Sequence, residues 1–298
     1  NMNESLSFMC DKASFAVASI KDDTHSFIAY YDDTMLEAAI KYKTIVDEFD
    51  DAIKAGEFKM YLQPQISAKT RRLTGAEALV RRIKPDGTII SPIDFIPVYE
   101  KSGLISRLDR YIWEQAAAKL GEWKKAGINM SISVNISPKD FYYIDIFNTF
   151  AGLIKKYDIE PSNLKIEITE TTIMSDVPNL MGELEELRKA GFTLEMDDFG
   201  SGYSSLNTLK DINVDVLKVD MGFIKETKNV KKSRIILASV IKMAKELNLL
   251  IITEGVETEE QVDNLTKLGC DVFQGYYFSK AIDVNEFEKR YLYRKKAG

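Results

Sequence analysis

Seven short apolar runs in this sequence each carry, or lead into, a polar residue that could do chemistry. Glu77 interrupts Gly75-Ala76-Glu77-Ala78-Leu79, and Asn135 closes Ile132-Ser133-Val134-Asn135. Glu167 sits in Lys165-Ile166-Glu167-Ile168, and Asp197 and Asp198 follow Leu194-Glu195-Met196. Lys218 lies in Val216-Leu217-Lys218-Val219, Glu254 follows Ile251-Ile252-Thr253, and Gln274 follows Val272-Phe273. Strands buried on both faces should be almost purely apolar. One such exception is an ordinary satisfied polar residue, but the full set reads as a site. Five carboxylates at ~4 Å spacings repel by about 4 kcal/mol per pair at an effective dielectric near 20, so the set requires a cation. All-oxygen ligation by carboxylates and an amide suits Mg²⁺ or Mn²⁺ and not zinc. The adjacent Asp197 and Asp198 can direct one carboxylate to each of two ions, and a two-metal site activates water and stabilises the leaving oxygen of a phosphodiester. Lys218, the cation of the set, can hold the nucleophilic water or neutralise charge in the transition state. Glu254 is either a second-metal ligand or the base; its spacing leaves both open.

Composition narrows the chemistry further. The 298 residues hold a single histidine, His25, and two cysteines, Cys10 and Cys270. His25 lies near the N-terminus, in what reads as an appendage ahead of the polar runs, so a Ser-His-Asp triad, a Cys-His pair and a multi-histidine metal site are untenable, and two cysteines cannot build a four-cysteine zinc site. Hydrolysis must run on carboxylates, amides, lysine and metal. The cysteine usage fits a reducing cytoplasm. A net charge of −6 argues against a nucleic-acid polymer as partner, while a small anionic ligand is compatible if metal ions supply positive charge. The tail Arg294-Lys295-Lys296 reads as a solvated end. No apolar run approaches the ~20 residues of a membrane span. Starting at Asn1, the chain reads as a fragment, with room upstream for a targeting or anchoring segment.

The elements that must position these residues follow from periodicity. Apolar runs at Phe58–Gln63, Leu73–Val80, Met130–Asn135, Leu164–Thr169, Phe192–Asp197, Val214–Val219, Leu249–Thr253 and Asp271–Gly275 alternate with amphipathic stretches such as Ile105–Ala126, Leu180–Ala190, Ser233–Leu247 and Glu259–Leu268. Gly127, Gly191 and Gly269 read as helix terminators, and Gly121 as tolerated inside a helix. Eight strands alternating with helices predict an α/β fold with a mostly parallel sheet closed into a (β/α)₈ barrel, with the polar residues at its C-terminal mouth. A doubly wound open sheet is the runner-up, without a Gly-rich fingerprint to support it. Ahead of the barrel, Ala18-Ser19-Ile20-Lys21 ends a helix, Ser26–Tyr31 reads as a short strand, and Met35–Ala55 as a connecting helix.

The same residues carry a family resemblance. Gln63-Pro64, Glu77-Ala78-Leu79, Val134-Asn135-Ile136-Ser137-Pro138, Glu167-Ile168-Thr169-Glu170, Asp197-Asp198-Phe199-Gly200-Ser201-Gly202-Tyr203-Ser204-Ser205, Leu217-Lys218-Val219-Asp220, Glu254-Gly255-Val256-Glu257-Thr258 and Gln274-Gly275-Tyr276 resemble EAL-domain motifs in order and spacing, from about Phe58 to Phe287. The resemblance implies a bacterial phosphodiesterase that cuts cyclic di-GMP to linear pGpG with Mg²⁺ or Mn²⁺, two ions per site, as a homodimer. It implies that Glu77, Asn135, Glu167 and Asp197 hold the first metal, with Asp197 bridging to a second beside Asp198. Lys218 and Glu254 would handle the water, Gln63 and Arg81 contact substrate, and Gln274 support the site. Glu170 would anchor the loop Asp198–Ser205, which in the family links the site to the dimer interface. Residues 1–34 resemble the end of a GGDEF domain without its signature loop, residues 35–57 a connecting helix, and residues 58–298 the barrel domain. The alternative from another class is a catalytically silent cyclic di-GMP receptor or interaction module; such proteins usually lose a metal ligand or the loop motif, and both are intact here.

Four positions depart from the family pattern, in three places. Arg82 stands where a Trp commonly follows the motif's Arg, and Ala281 replaces a usual Pro. The third departure is the pair Lys165 and Glu195. Side chains two apart on a strand share a face, so Lys165 points with Glu167, and Glu195 with Asp197. Consecutive strands are usually neighbours, which predicts a buried Lys165–Glu195 salt bridge beneath the metal ligands.

Overall fold

The computed structural model describes residues 5–20, 28–200, 209–210, 212–222 and 230–293. His25, residues 26–27 of the expected N-terminal strand, residues 201–205 of the loop motif and the basic tail lie outside them.

The helices α1 (Leu6–Ser19), α2 (Asp33–Asp47) and α3 (Phe49–Lys54) precede the barrel. The expected single connecting helix is thus two helices meeting at Glu48, and described residues 28–31 of the expected strand form none. The break brings Phe49 round to the barrel, where its ring meets Tyr99 edge-on at 4.9 Å.

Strands β1 (Phe58–Ser67), β2 (Leu73–Ile83), β3 (Ile89–Ile90), β4 (Ile132–Ile136), β5 (Leu164–Thr169), β6 (Leu194–Asp197), β7 (Val216–Asp220), β8 (Leu250–Glu254), β9 (Val272–Phe273) and β10 (Ile282–Asp283) form one sheet. Eight of them close into a barrel in the order β1-β9-β8-β7-β6-β5-β4-β2, sealed by β1 against β2; β3 extends β2 and β10 flanks β1. From β2 to β9 the barrel is parallel, but β1 is antiparallel to both β2 and β9. The connection dictates this. Only residues 68–72 separate β1 from β2, whereas a parallel crossover needs a dozen or more. Arg71 takes a left-handed φ of 57° in that tight turn.

Helices wrap the barrel, including α4 (Pro92–Ser102) and α5 (Ile105–Lys125). Along α5, Leu108, Ile112, Ala116, Leu120 and Trp123 recur at helical spacing and are buried. Gly121 is required by packing: a Cβ there would lie 2.8 Å from the Tyr157 carbonyl. The helix Glu259–Leu268 starts with a reciprocal Thr258/Gln261 capping box and stops at left-handed Gly269. Parallel register then sets the mouth of the barrel: Asn135 lies beside Glu167, Thr169 beside Asp197, and Asp220 beside Glu254.

Candidate active site

Strand alternation aims Glu77, Asn135, Glu167, Asp197 and Lys218 into the barrel, where they meet. The Lys218 ammonium is fully buried and forms ion pairs with four carboxylates: Glu254 at 2.7 Å, Glu167 at 2.9 Å, Asp197 at 3.3 Å and Glu77 at 3.4 Å. Burial alone would lower its pKa, but Glu167, Glu254, Glu77 and Asp197 outweigh this and hold it well above the usual lysine value. Burial and the Glu77 charge push Glu167 well above the carboxylate range. Burial raises Glu254 to about 8 despite the pull of Lys218. Asp198 is raised by burial and by Asp197. One ammonium cannot neutralise so many carboxylates, and the fold answers by favouring protons on Glu167, Glu254 and Asp198. The site is cation-deficient.

The donor set fits hard divalent cations. Among the described residues the carboxylates surround Lys218, and no cluster of three or more is drawn tightly enough to hold an ion in this arrangement. Yet, among the described residues, the buried Glu167 Oε1 meets no N–H or hydroxyl donor, and the Glu167 carboxyl bonds to Glu195 only while a proton lies between them. A buried carboxylate oxygen without a partner is costly, and an ion would satisfy it.

The amides brace this ring. Gln274 Nε2 donates to Glu77 Oε2 and, at 3.4 Å, to Gln63 Oε1. Gln63 Nε2 donates to the Ser279 carbonyl. Gly275 places Gln274 by letting the backbone meet Val256: a Cβ there would lie 2.2 Å from the Val256 carbonyl oxygen. Asn135 Nδ2 reaches Glu77 Oε1 at 3.5 Å, and Trp113 Nε1 donates to the Asn135 carbonyl. Asp198 turns away from β6 with a left-handed φ of 56°, so adjacent Asp197 and Asp198 point in different directions. Glu170 accepts from Gly200 N–H at 3.3 Å, at the start of the loop motif. Arg81 donates to the Val80 carbonyl and its guanidinium lies 5.9 Å from the Tyr61 ring.

Beneath the ring lies a second layer. Lys165 Nζ donates to Glu195 Oε1 at 2.8 Å, and Ser133 Oγ to Glu195 Oε2 at 2.9 Å. The expected pair is therefore present, but asymmetric: Glu195 is fully buried whereas Lys165 keeps 19% exposure. Burial would raise the Glu195 pKa, and Lys165 overrides that to hold it below the usual carboxylate value. The exposed end of Lys165 decides which deletion costs more. Glu195→Ala leaves a lysine that water can still reach, so about 2 kcal/mol is expected; Lys165→Met strands a buried carboxylate and should cost about 3 kcal/mol or more. Urea unfolding of both variants checks the order, and equal or reversed losses would refute it.

Sequence reasoning missed a second acidic pair. Asp109 on α5 and Asp140 after β4 both hydrogen-bond Ser137: its Oγ donates to Asp109 at 2.9 Å and its N–H to Asp140 at 2.7 Å. Burial raises Asp140 to about 6, and burial with the Asp140 charge raises Asp109 well above its usual value. The Ser137-to-Asp140 spacing is that of a local cap, and nothing in the sequence announces that Asp109 meets it. An acid whose folded pKa is raised stabilises the fold below its unfolded pKa and loses that contribution as pH climbs through the folded value. A shift of about 2 units corresponds to ~3 kcal/mol. Asp140→Asn should therefore melt above the parent at pH 8, with the gap closing toward pH 4. An equal gap at both pH values would contradict this assignment.

Two cavities flank the acid ring. One, of about 380 Å³, is lined by Gln63, Glu77, Glu254, Gln274 and Tyr276. The other, of about 360 Å³, is lined by Arg81, Asp109, Asn135 and Thr169, and Leu79 borders both.

Comparison with known proteins places this architecture. The EAL domain family matches residues 46–281. The signaling protein YkoW of Bacillus subtilis is 36% identical over 80% of this chain and 30% of its own length. The bifunctional diguanylate cyclase/cyclic di-GMP phosphodiesterase MucR of Pseudomonas aeruginosa is 30% identical over 92% of this chain and 40% of its own length. The chain thus spans less than half the length of these relatives. Among solved structures, the PaMucR phosphodiesterase in its c-di-GMP complex superposes with a TM-score of 0.76 at 32% identity, covering 82% of this chain and 99% of that one. Barrel, acid ring and family match agree: the chain belongs to the EAL-domain family.

Proposed function

We propose that the protein hydrolyses cyclic di-GMP to linear pGpG. The observation that carries this reading is the buried Lys218, surrounded by four carboxylates and flanked by a cavity on either side. A cyclic dinucleotide has the matching form, with two bases disposed about a doubly charged phosphate ring. Relatives named as cyclic di-GMP phosphodiesterases and a related complex with c-di-GMP support the choice of substrate.

Glu77, Asn135, Glu167, Asp197 and Asp198 would hold two divalent ions. Mg²⁺ or Mn²⁺ bound there supplies Lewis acidity that lowers the pKa of water and offsets phosphate charge. Lys218 orients the attacking water and balances charge gathering on the phosphoryl oxygens. Glu254, 2.7 Å from Lys218, accepts the water's proton. A new P–O bond forms as the P–O3′ bond breaks, and the 3′-oxygen departs with a proton. Gln63 and Arg81 position the substrate, and Gln274 holds Glu77 in place. A homodimer coupled through the loop that Glu170 anchors belongs to the same reading.

Incubation with cyclic di-GMP and Mg²⁺ or Mn²⁺, followed by chromatography, should yield pGpG and, with EDTA, none. Tight binding without turnover would instead make the protein a receptor.

A further inference from the structure

Arg82 follows the proposed substrate contact Arg81, yet alternation sends it to the opposite face of β2. It is 3% exposed. Its guanidinium spans two carboxylates, donating through Nη2 to Glu48 at 2.7 Å and through Nε to Glu57 at 2.9 Å, and lies 5.7 Å from the Phe58 ring. Glu48 is the residue at which α2 gives way to α3, and Glu57 immediately precedes β1. One buried side chain thus joins the helix junction, the start of β1 and the end of β2.

The end of β2 has need of such a clamp. Phe58 opposite Arg82 is the last pair of the β1–β2 ladder, and beyond it Ile83 N–H reaches the Glu57 carbonyl at 2.8 Å. On its other side, among the described residues, this stretch is paired only by the two-residue β3. Further contacts bind the helix pair to elements that line the same cavity. Lys41 on α2 pairs with Asp94 on α4 at 2.7 Å, and Asp50 on α3 pairs with Arg107 on α5 at 2.6 Å. Those pairs are exposed and weak. Arg82 is buried, bidentate and directional.

We propose that Arg82 is a positioning residue that couples the α2–α3 junction to the substrate-binding end of β2. Displacement of the helix pair frees the strand end, misplaces Arg81 and weakens substrate binding while the acid ring, set deeper in the barrel, stays intact. Signals acting on the preceding helices therefore change KM and not kcat. This rests on the phosphodiesterase reading for its kinetic arm only.

The test compares the parent with Arg82→Met, Arg82→Lys and Glu48→Gln. Arg82→Met should raise KM for cyclic di-GMP roughly tenfold with kcat held within about twofold. Arg82→Lys should recover only part of the loss, because lysine cannot span both carboxylates. Hydrogen exchange should quicken at residues 80–83 and 48–54 together. Glu48 is 38% exposed, so Glu48→Gln remains informative even if Arg82→Met does not fold, and it should show the same pattern more weakly. Unchanged KM, kcat falling in step with stability, or exchange that quickens at only one of the two segments would overturn the coupling. If the parent does not cut cyclic di-GMP, the functional reading fails alone, and hydrogen exchange still decides whether the clamp links helix and strand.

Discussion

Glu77→Ala and Asp197→Ala should each abolish hydrolysis of cyclic di-GMP while leaving the barrel folded. Both carboxylates lie within 3.4 Å of Lys218, in a ring where negative charge exceeds positive. Removing one relieves repulsion, so little stability is lost and some is regained. Catalysis has no such margin. Each deletion removes a ligand that would bring the attacking water and the phosphate into register, and turnover should fall roughly 10³-fold or more. Circular dichroism melts establish the fold, Mn²⁺ titration followed by electron paramagnetic resonance reports ion binding, and chromatography reports pGpG. Parental turnover in either variant would refute the assignment of metal ligands. Lost turnover with parental Mn²⁺ affinity would move the residue from the ligand set to the substrate.

The acid ring was legible because each member breaks the apolar rule of a buried strand, and a barrel sends such exceptions to one mouth. The Lys165–Glu195 pair followed from alternation and strand adjacency, which are local geometry. Its asymmetry did not, because exposure of the lysine end depends on what covers the barrel elsewhere. The reversed direction of β1 was also within reach: no helical pattern separates Ile66 from Leu73, and a loop that short allows only an antiparallel return. The break at Glu48 was hidden. Helix propensity runs through Met35–Ala55 without Gly or Pro, and what divides α2 from α3 is tertiary, namely Phe49 turning into an aromatic cluster and Glu48 turning to Arg82. Arg82 itself read as a departure beside a substrate contact. The structure shows it serving the opposite face of the strand. The Asp109–Asp140 pair was missed for a like reason: Asp140 caps Ser137 locally, but Asp109 reaches Ser137 from α5, an element that the sequence does not bring to it.

Lys218→Ala should lower kcat roughly 10²-fold or more while KM moves only severalfold. The ammonium is fully buried and lies within 3.4 Å of four carboxylates. That position is too deep for a surface clamp on the phosphate, and it sets the ammonium 2.7 Å from Glu254, the proposed acceptor of the water's proton. Charge gathers on the phosphoryl oxygens chiefly as the transition state is approached, so its loss is felt in kcat. Alanine also leaves a space the length of the lysine stem, opening the site to chemical rescue. Methylamine or ethylamine should restore a measurable part of kcat in Lys218→Ala, with an effect that saturates as the amine fills the gap. Lys218→Met fills most of the same volume without charge, so it should be as slow as alanine and resist rescue. Melting in EDTA gives a second readout. Without the ammonium, the carboxylates lose the internal cation that pairs with all four, and the variant should melt below the parent until Mg²⁺ is added. A rise in KM with kcat unchanged would mark Lys218 as a phosphate clamp. Rescue of methionine and alanine variants to the same extent would show that the amine acts elsewhere, and the water would need another residue to hold it.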